Sequence, residues 1–278
     1  MRKLNKTILL AILTISQIVI TACGKEDHIL PIEKTTELPI GSLSGIFEIG
    51  NNEQVRFSQG NLCYCMDGEH LSLAGQQQGI WTFCNTQYST QQPGNGILDQ
   101  FNYGTSGYNN FHPCVEPDYE NIPVSISNPD PWYDWGIFNA IENGGNRPNL
   151  WRTLSAEEWD YLLNNQIYGF ANIVADANLP TENNPIGMVI LPKQFSMPEG
   201  LTFKSHVQHN KLNIYTLEEW NQMETMGAVF IQLGSYWCYK NNDEGYAKYI
   251  DIADDKIEII DFVGSYSTKK VRLVQDIR

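Results

Sequence analysis

The apolar positions of this chain change period several times, and each change marks an element. Across residues 44–59 they alternate enough for one or two strands, with Ile46, Ile49, Val55 and Phe57 as apolar members. Residues 62–66 and 79–85 read as further short strands. The period then shifts at Trp151-Arg152-Thr153-Leu154-Ser155-Ala156-Glu157-Glu158-Trp159-Asp160-Tyr161-Leu162-Leu163. Trp159, Leu162 and Leu163 fall at i, i+3 and i+4, on one face of a helix. Ser155 and Glu158 have the spacing of a capping box. The pattern predicts a strand end at Trp151-Arg152, a cap at Ser155 and a helix to about residue 164.

A partial echo follows at Thr216-Leu217-Glu218-Glu219-Trp220, again with capping-box spacing. It predicts a second short helix with Trp220 and Met223 on its core face. Asp134 is placed to cap another short helix through Asn139 and Ile141, ended by Gly144-Gly145. Strands are predicted over 167–175, 187–191 (stopped by Pro192), 228–233, 246–252, 257–263 and 270–274. Residues 86–131 are rich in Gly, Asn, Tyr, Ser and Pro. A structureless stretch of that length is unusual in a compact domain. Its aromatics (Tyr88, Phe101, Tyr103, Tyr108, Phe111, Tyr119) predict an ordered loop. A second polar loop, 196–213, contains His206 and His209.

The start of the chain reads as an address. Arg2, Lys3 and Lys6 precede an apolar run over 8–20 that is too short and wrongly flanked for a spanning helix. Ile20-Thr21-Ala22-Cys23 resembles a bacterial lipobox, in which the Cys takes the lipid. Residues 1–22 are then a lipoprotein signal peptide, and Cys23 is the lipidation site. Each methylene buried in a bilayer contributes about 0.8 kcal/mol, so acyl chains on Cys23 would hold the chain at a membrane without crossing it. Residues 23–39 are polar and aperiodic, as in a flexible tether. Residues 40–278 are expected to form one domain.

Charge and cysteine content narrow the class. The formal charge is −14. Removing residues 1–22 removes Arg2, Lys3 and Lys6 and no acidic residue, which leaves 15 basic against 32 acidic residues and a charge of −17. Such a surface disfavours nucleic acid and anionic membranes as partners. With Cys23 lipidated, Cys63, Cys65, Cys84, Cys114 and Cys238 remain. The odd number leaves at least one thiol, and the pairing stays open. Cys63 and Cys65 have no second Cys or His pair at zinc spacing.

The helix-start text also carries a family resemblance. Arg152, Ser155, Glu158, Trp159 and Tyr161 match the Arg-Leu-Pro-Thr-Glu-Ala-Glu-Trp-Glu-Tyr signature of the formylglycine-generating-enzyme (sulfatase-modifying factor) superfamily, with Leu154 in place of its Pro. Asp134-Trp135-Gly136, Asn143-Gly144-Gly145, Trp151 to Leu154 and Gly234-Ser235-Tyr236-Trp237 resemble the Bacteroidota surface lipoproteins of the major-paralogous-domain group more closely. The Gly104 to Asn110 run recurs in that group too. The resemblance spans about 38–274. It implies a C-type-lectin-like α+β fold with long ordered loops. Lys25-Glu26-Asp27 resembles the signal that sends such lipoproteins to the outer face of the outer membrane; read from composition alone it is a solvated tether.

The superfamily's enzymes bind Cu(I) through two cysteines, the second five residues after Gly-Ser-Tyr-X-Cys. Cys238 matches the first, but Asp243 stands at the second. A hard carboxylate does not replace a thiolate for Cu(I). The expectation is therefore a non-enzymatic protein without a catalytic residue. Glu116-Pro117-Asp118 and Trp132-Tyr133-Asp134 resemble lectin calcium–sugar motifs but lie before the main helix, not after it. Asp118, Glu120, Asp130 and Asp134 are the acids from which Ca²⁺ ligands would be drawn; solvated loop carboxylates are the alternative. No other cofactor is expected. Trp135, Trp159 and Trp220 are expected in the core. By analogy with related lectin-like folds, Tyr236, Trp237 and Tyr239 are expected on a ligand-facing surface for a glycan or a protein. A structural or accessory role in a surface assembly is the alternative, and a divergent enzyme of the formylglycine-generating superfamily is the third reading.

Overall fold

Both capping boxes close. Ser155 Oγ accepts from the Glu158 N–H at 3.2 Å, and the Glu158 carboxylate accepts from the Ser155 N–H at 2.7 Å. Thr216 and Glu219 repeat the arrangement at 3.3 and 2.7 Å. These contacts come from a computed structural model that describes residues 37–66, 79–88, 96–111, 113, 130–174, 184–205, 213–239, 247–253, 256–262 and 267–277. Cys23, Cys114, Asp118, Tyr119, Glu120, His70, His112, His206 and His209 lie outside the described residues.

In chain order the described strands are β1 (Phe47–Gly50), β2 (Glu53–Phe57), β3 (Leu62–Cys65), β4 (Ile80–Phe83), β5 (Ile97–Leu98), β6 (Arg152–Thr153), β7 (Ile167–Val174), β8 (Ile186–Leu191), β9 (Asn213–Thr216), β10 (Val229–Gln232), β11 (Gly234–Cys238), β12 (Ala247–Ile252), β13 (Ile257–Phe262) and β14 (Leu273–Asp276). The helices are α1 (Trp135–Phe138), α2 (Ala156–Asn165) and α3 (Leu217–Thr225), with single 3-10 turns at Tyr108–Asn110, Pro131–Tyr133 and Glu142–Gly144. The fold is α+β with strands predominating. Four sheets run in the orders β1-β2-β14-β6, β10-β8-β7-β9, β11-β12-β13 and β4-β3-β5. Their pairs are antiparallel except β7 with β9. The compact unit runs Leu38–Arg278.

The helices pack as their periodicity predicts. Trp159 and Leu162 of α2 and Trp220 and Met223 of α3 are buried, and Leu163 packs against the same core as Trp159. The strands show three departures. Phe47 and Ile49 point inward from β1, and Ile46 points out. A period of two cannot place Ile46 and Ile49 on one face. Two strands escape the pattern: β5 is two residues long, and β9 starts with the buried amide of Asn213. The last strand begins at Leu273 because Lys269 and Lys270 make isolated bridges to Phe101 and Tyr236 instead.

The text that carried the resemblance folds into one knot. Asp134 is fully buried. One of its carboxylate oxygens accepts from the N–H groups of Gly136 (2.8 Å) and Ile137 (3.3 Å), which caps α1. The other accepts from the Thr153 N–H at 2.8 Å, which ties α1 to β6. Gly136 is required by contact: a Cβ there would stand 2.6 Å from the Trp151 carbonyl. The Trp151 indole donates to the Gly144 carbonyl at 2.7 Å. Asn143 takes both backbone groups of Phe83, accepting at 2.7 Å and donating at 2.9 Å. Gly145 has φ +91°, a left-handed turn that suits glycine.

Burial raises the Asp134 pKa, and the N–H groups of Thr153, Gly136 and Ile137 pull it back. Asp134→Ala would leave those donors without their acceptor. It is expected to lower stability by about 2–4 kcal/mol, read from the urea midpoint. Asp134→Asn is expected to recover only part of this, because its NH₂ must face one of the donors.

Candidate functional site: an aromatic surface patch

The structure does not present Tyr236, Trp237 and Tyr239 to solvent. They are 0, 1 and 6 % exposed. The reason is that β11 is covered on both faces. Tyr236 and Cys238 point into the cluster around Phe57, Trp159 and Ile250. Trp237 and Tyr239 point into a second cluster with Trp81, Phe101, Trp135 and Trp151. A strand buried on both sides loses the polar–apolar alternation that would have revealed an inside and an outside. The Trp237 indole donates to the Phe101 carbonyl at 2.6 Å, and the Tyr236 hydroxyl to the Gln232 carbonyl at 2.8 Å. Cys238 is completely buried, and burial raises its pKa.

The aromatic surface lies elsewhere, where the Gly104–Asn110 run meets the Pro131–Tyr133 turn and α1. Tyr108 packs edge-on against Tyr133 (centroids 5.0 Å) and Phe138 (5.6 Å). Trp132 stands over Phe138 at 6.2 Å, and Phe111 over Tyr133 at 5.9 Å. Trp132 is 45 % exposed, and the other four rings are half-buried. Polar groups rim the rings. The Tyr108 hydroxyl donates to the Asp130 carboxylate at 2.9 Å, and the Asn109 amide donates to the Tyr133 hydroxyl at 3.1 Å.

The patch is fixed from beneath. Ser106 Oγ donates to the Trp132 carbonyl at 2.8 Å, and the Asn139 amide to the Ser106 carbonyl at 2.9 Å. Asn109 and Asn110 both take left-handed backbone (φ 52° and 66°), a conformation in which Asn is enriched. The Tyr239 hydroxyl donates to the Asp130 carbonyl. Tyr239 therefore supports the patch from the core and does not line it. Sequence reasoning missed Trp132, Tyr133 and Phe138 as surface residues. The signal available was weak: Trp132 and Tyr133 follow Asp130-Pro131 in turn text, but Trp135, Ile137 and Ile141 stand at helix spacing from the three residues and suggest burial as readily.

The acids considered for Ca²⁺ are engaged in backbone and hydroxyl bonds where they are described. Asp134 is the α1 cap, and Asp130 also accepts from the Trp132 N–H at 3.1 Å. Among the described residues, no group of three His, Cys, Asp or Glu side chains is arranged to hold a metal ion. No described helix is long and apolar enough to cross a membrane. A shallow cleft of about 300 Å³ beside the patch's α1 includes Ile137, Trp151 and Arg152. Its Arg152 is held bidentately by Glu158 (2.8 and 2.7 Å) and by Asp276 (2.9 Å). Burial alone would lower the Arg152 pKa, but the two carboxylates hold it above the ordinary value.

No family model, curated protein or solved structure matches this chain.

Two measurements distinguish patch from core. Trp237→Ala is expected to cost about 3–5 kcal/mol in urea unfolding, against about 1 kcal/mol or less for Trp132→Ala. The hydrogen bond to Asp130 raises the Tyr108 pKa. Because the folded value is the higher one, that bond's contribution is complete below the ordinary tyrosine range. It is lost as pH rises through the folded value. Asp130→Asn is expected to bring the Tyr108 titration back toward the ordinary tyrosine value, followed by ¹³C NMR of labelled tyrosine.

Proposed function

We propose that this chain is an outer-membrane lipoprotein, anchored through Cys23 and facing the exterior, whose C-type-lectin-like domain binds a neutral glycan non-enzymatically. The observation that carries the reading is the patch of Tyr108, Phe111, Trp132, Tyr133 and Phe138. Flat rings supply apolar area at small entropic cost, and they stack on the apolar faces of sugar rings. Asn109 and Asp130 stand beside them to meet sugar hydroxyls. The charge of −14 argues for a neutral rather than an anionic glycan. The basic leader and the lipobox text support the anchor. The motifs shared with the major-paralogous-domain lipoproteins support the family and the fold.

A structural role in a surface assembly is the second reading. It is favoured by exposed apolar residues at strand positions, Ile214 of β9 and Ile167 of β7.

The deciding experiment is a glycan and mucin array probed with the purified chain, with and without EDTA. Saturable binding to neutral glycans is expected, weakened at least about tenfold (~1.4 kcal/mol) by Trp132→Ala and unchanged by EDTA. Loss of binding in EDTA would bring Ca²⁺ back as a cofactor. Binding to no glycan would leave the assembly role as the better account.

A further inference from the structure

Three cysteines share one face of the small β4-β3-β5 sheet. The register pairs Leu62 with Phe83 and Cys63 with Thr82, and the ladder continues with the Cys84 N–H donating to the Asn61 carbonyl at 2.9 Å. Cys84 therefore stands opposite Asn61. Cys63, two residues on from Asn61, is its diagonal neighbour on the same face, and Cys65 is two residues further away. Diagonal neighbours average about 7–8 Å apart, at the edge of what a cystine spans. Cys84 is the first residue past β4, and Gly60 lets its backbone come close: a Cβ at Gly60 would stand 2.3 Å from the Cys84 carbonyl oxygen. The thiols of Cys63 and Cys84 are in hydrogen-bonding contact with each other.

We propose that Cys63 and Cys84 are a redox pair that closes as a disulfide linking the end of β4 to β3 when the chain folds in an oxidising compartment. The other described cysteines are worse placed. Cys238 is enclosed in the core on β11, and Cys65 pairs with Ile80 and Ile97 at the far end of the strand.

The chemistry is thiol–disulfide exchange with a small or protein disulfide. The Cys84 thiolate attacks one sulfur of that disulfide, its S–S bond breaks, and one thiolate leaves. The Cys63 thiolate then attacks the Cys84 sulfur and expels the second. Two protein thiols are oxidised, one disulfide is reduced, and the two protons end on the released thiols. Both thiols are buried in the folded chain. Closure therefore belongs to folding, before the sheet is complete.

The pairing rests on the exported location only for where the oxidant is met, and the test separates the two. The full chain is denatured, reduced and refolded with glutathione disulfide; in parallel it is extracted from bacterial envelopes. Both samples are alkylated in denaturant and mapped by mass spectrometry without reduction. A Cys63–Cys84 linked peptide in both samples is the expected result, with alkylation of the two recovered only after reduction. Linkage on refolding but not in envelopes would uphold the pair and overturn export. Linkage in neither, or Cys63 or Cys84 joined to a different cysteine, would overturn the pair. Reducing the linked protein is expected to lower Tm by roughly 6–12 °C. The double variant Cys63→Ala, Cys84→Ala should show no such response to reductant.

Discussion

One buried carboxylate organises the middle of this molecule. Asp134 gathers the first free N–H groups of α1 and the N–H of Thr153, and so fixes a helix start against a strand edge. A helix as short as α1 is not stable alone. It exists here because an anion sits at its N-terminus and because Gly136 allows Trp151 to press against its first turn. From that junction the chain reaches β4 through Asn143, and α2 through Leu154 and Ser155. The burial cost of the charge is met by three donors that would otherwise be buried without partners themselves.

Four of the motifs that carried the family resemblance thus build the scaffold. Asp-Trp-Gly, Asn-Gly-Gly, Trp-Arg-Thr-Leu and Gly-Ser-Tyr-Trp meet within two clusters of buried side chains. None of them forms the exposed patch. The Gly104–Asn110 run, which belongs to the same resemblance, and the Pro131–Tyr133 turn are the parts that reach the exposed patch.

What the sequence discloses depends on whether a residue's role is local. The Ser155 and Thr216 caps were legible because a capping box is a contact over three residues. Trp159 and Trp220 were legible because helical period alone puts them inward. Tyr236 and Trp237 were not. Their burial depends on two sheets closing over opposite faces of β11, which no local pattern records. Gln87 makes the same point more sharply. It lies in loop text, yet it is fully buried and bonds Phe230, Glu224 and Arg272, residues far away in the chain. The guanidinium of Arg272, completely buried, has its pKa lowered to about 10 by that burial, with the nearby Tyr236, Cys84 and Glu224 opposing the shift.

The position of β14 has a bearing on how the chain is made. Leu273–Asp276 lies between β2 and β6 at the centre of its sheet. Just before it, Lys269 to Val271 join Phe101, Tyr236 and Leu62. Elements formed from the first half of the chain therefore wait for residues made near its end. Contacts of such long sequence separation close slowly, and until they close the apolar faces of β2 and β11 are uncovered. A cut anywhere between β6 and β14 would therefore separate strands that are neighbours in one sheet, although 119 residues lie between Thr153 and Leu273 in the chain.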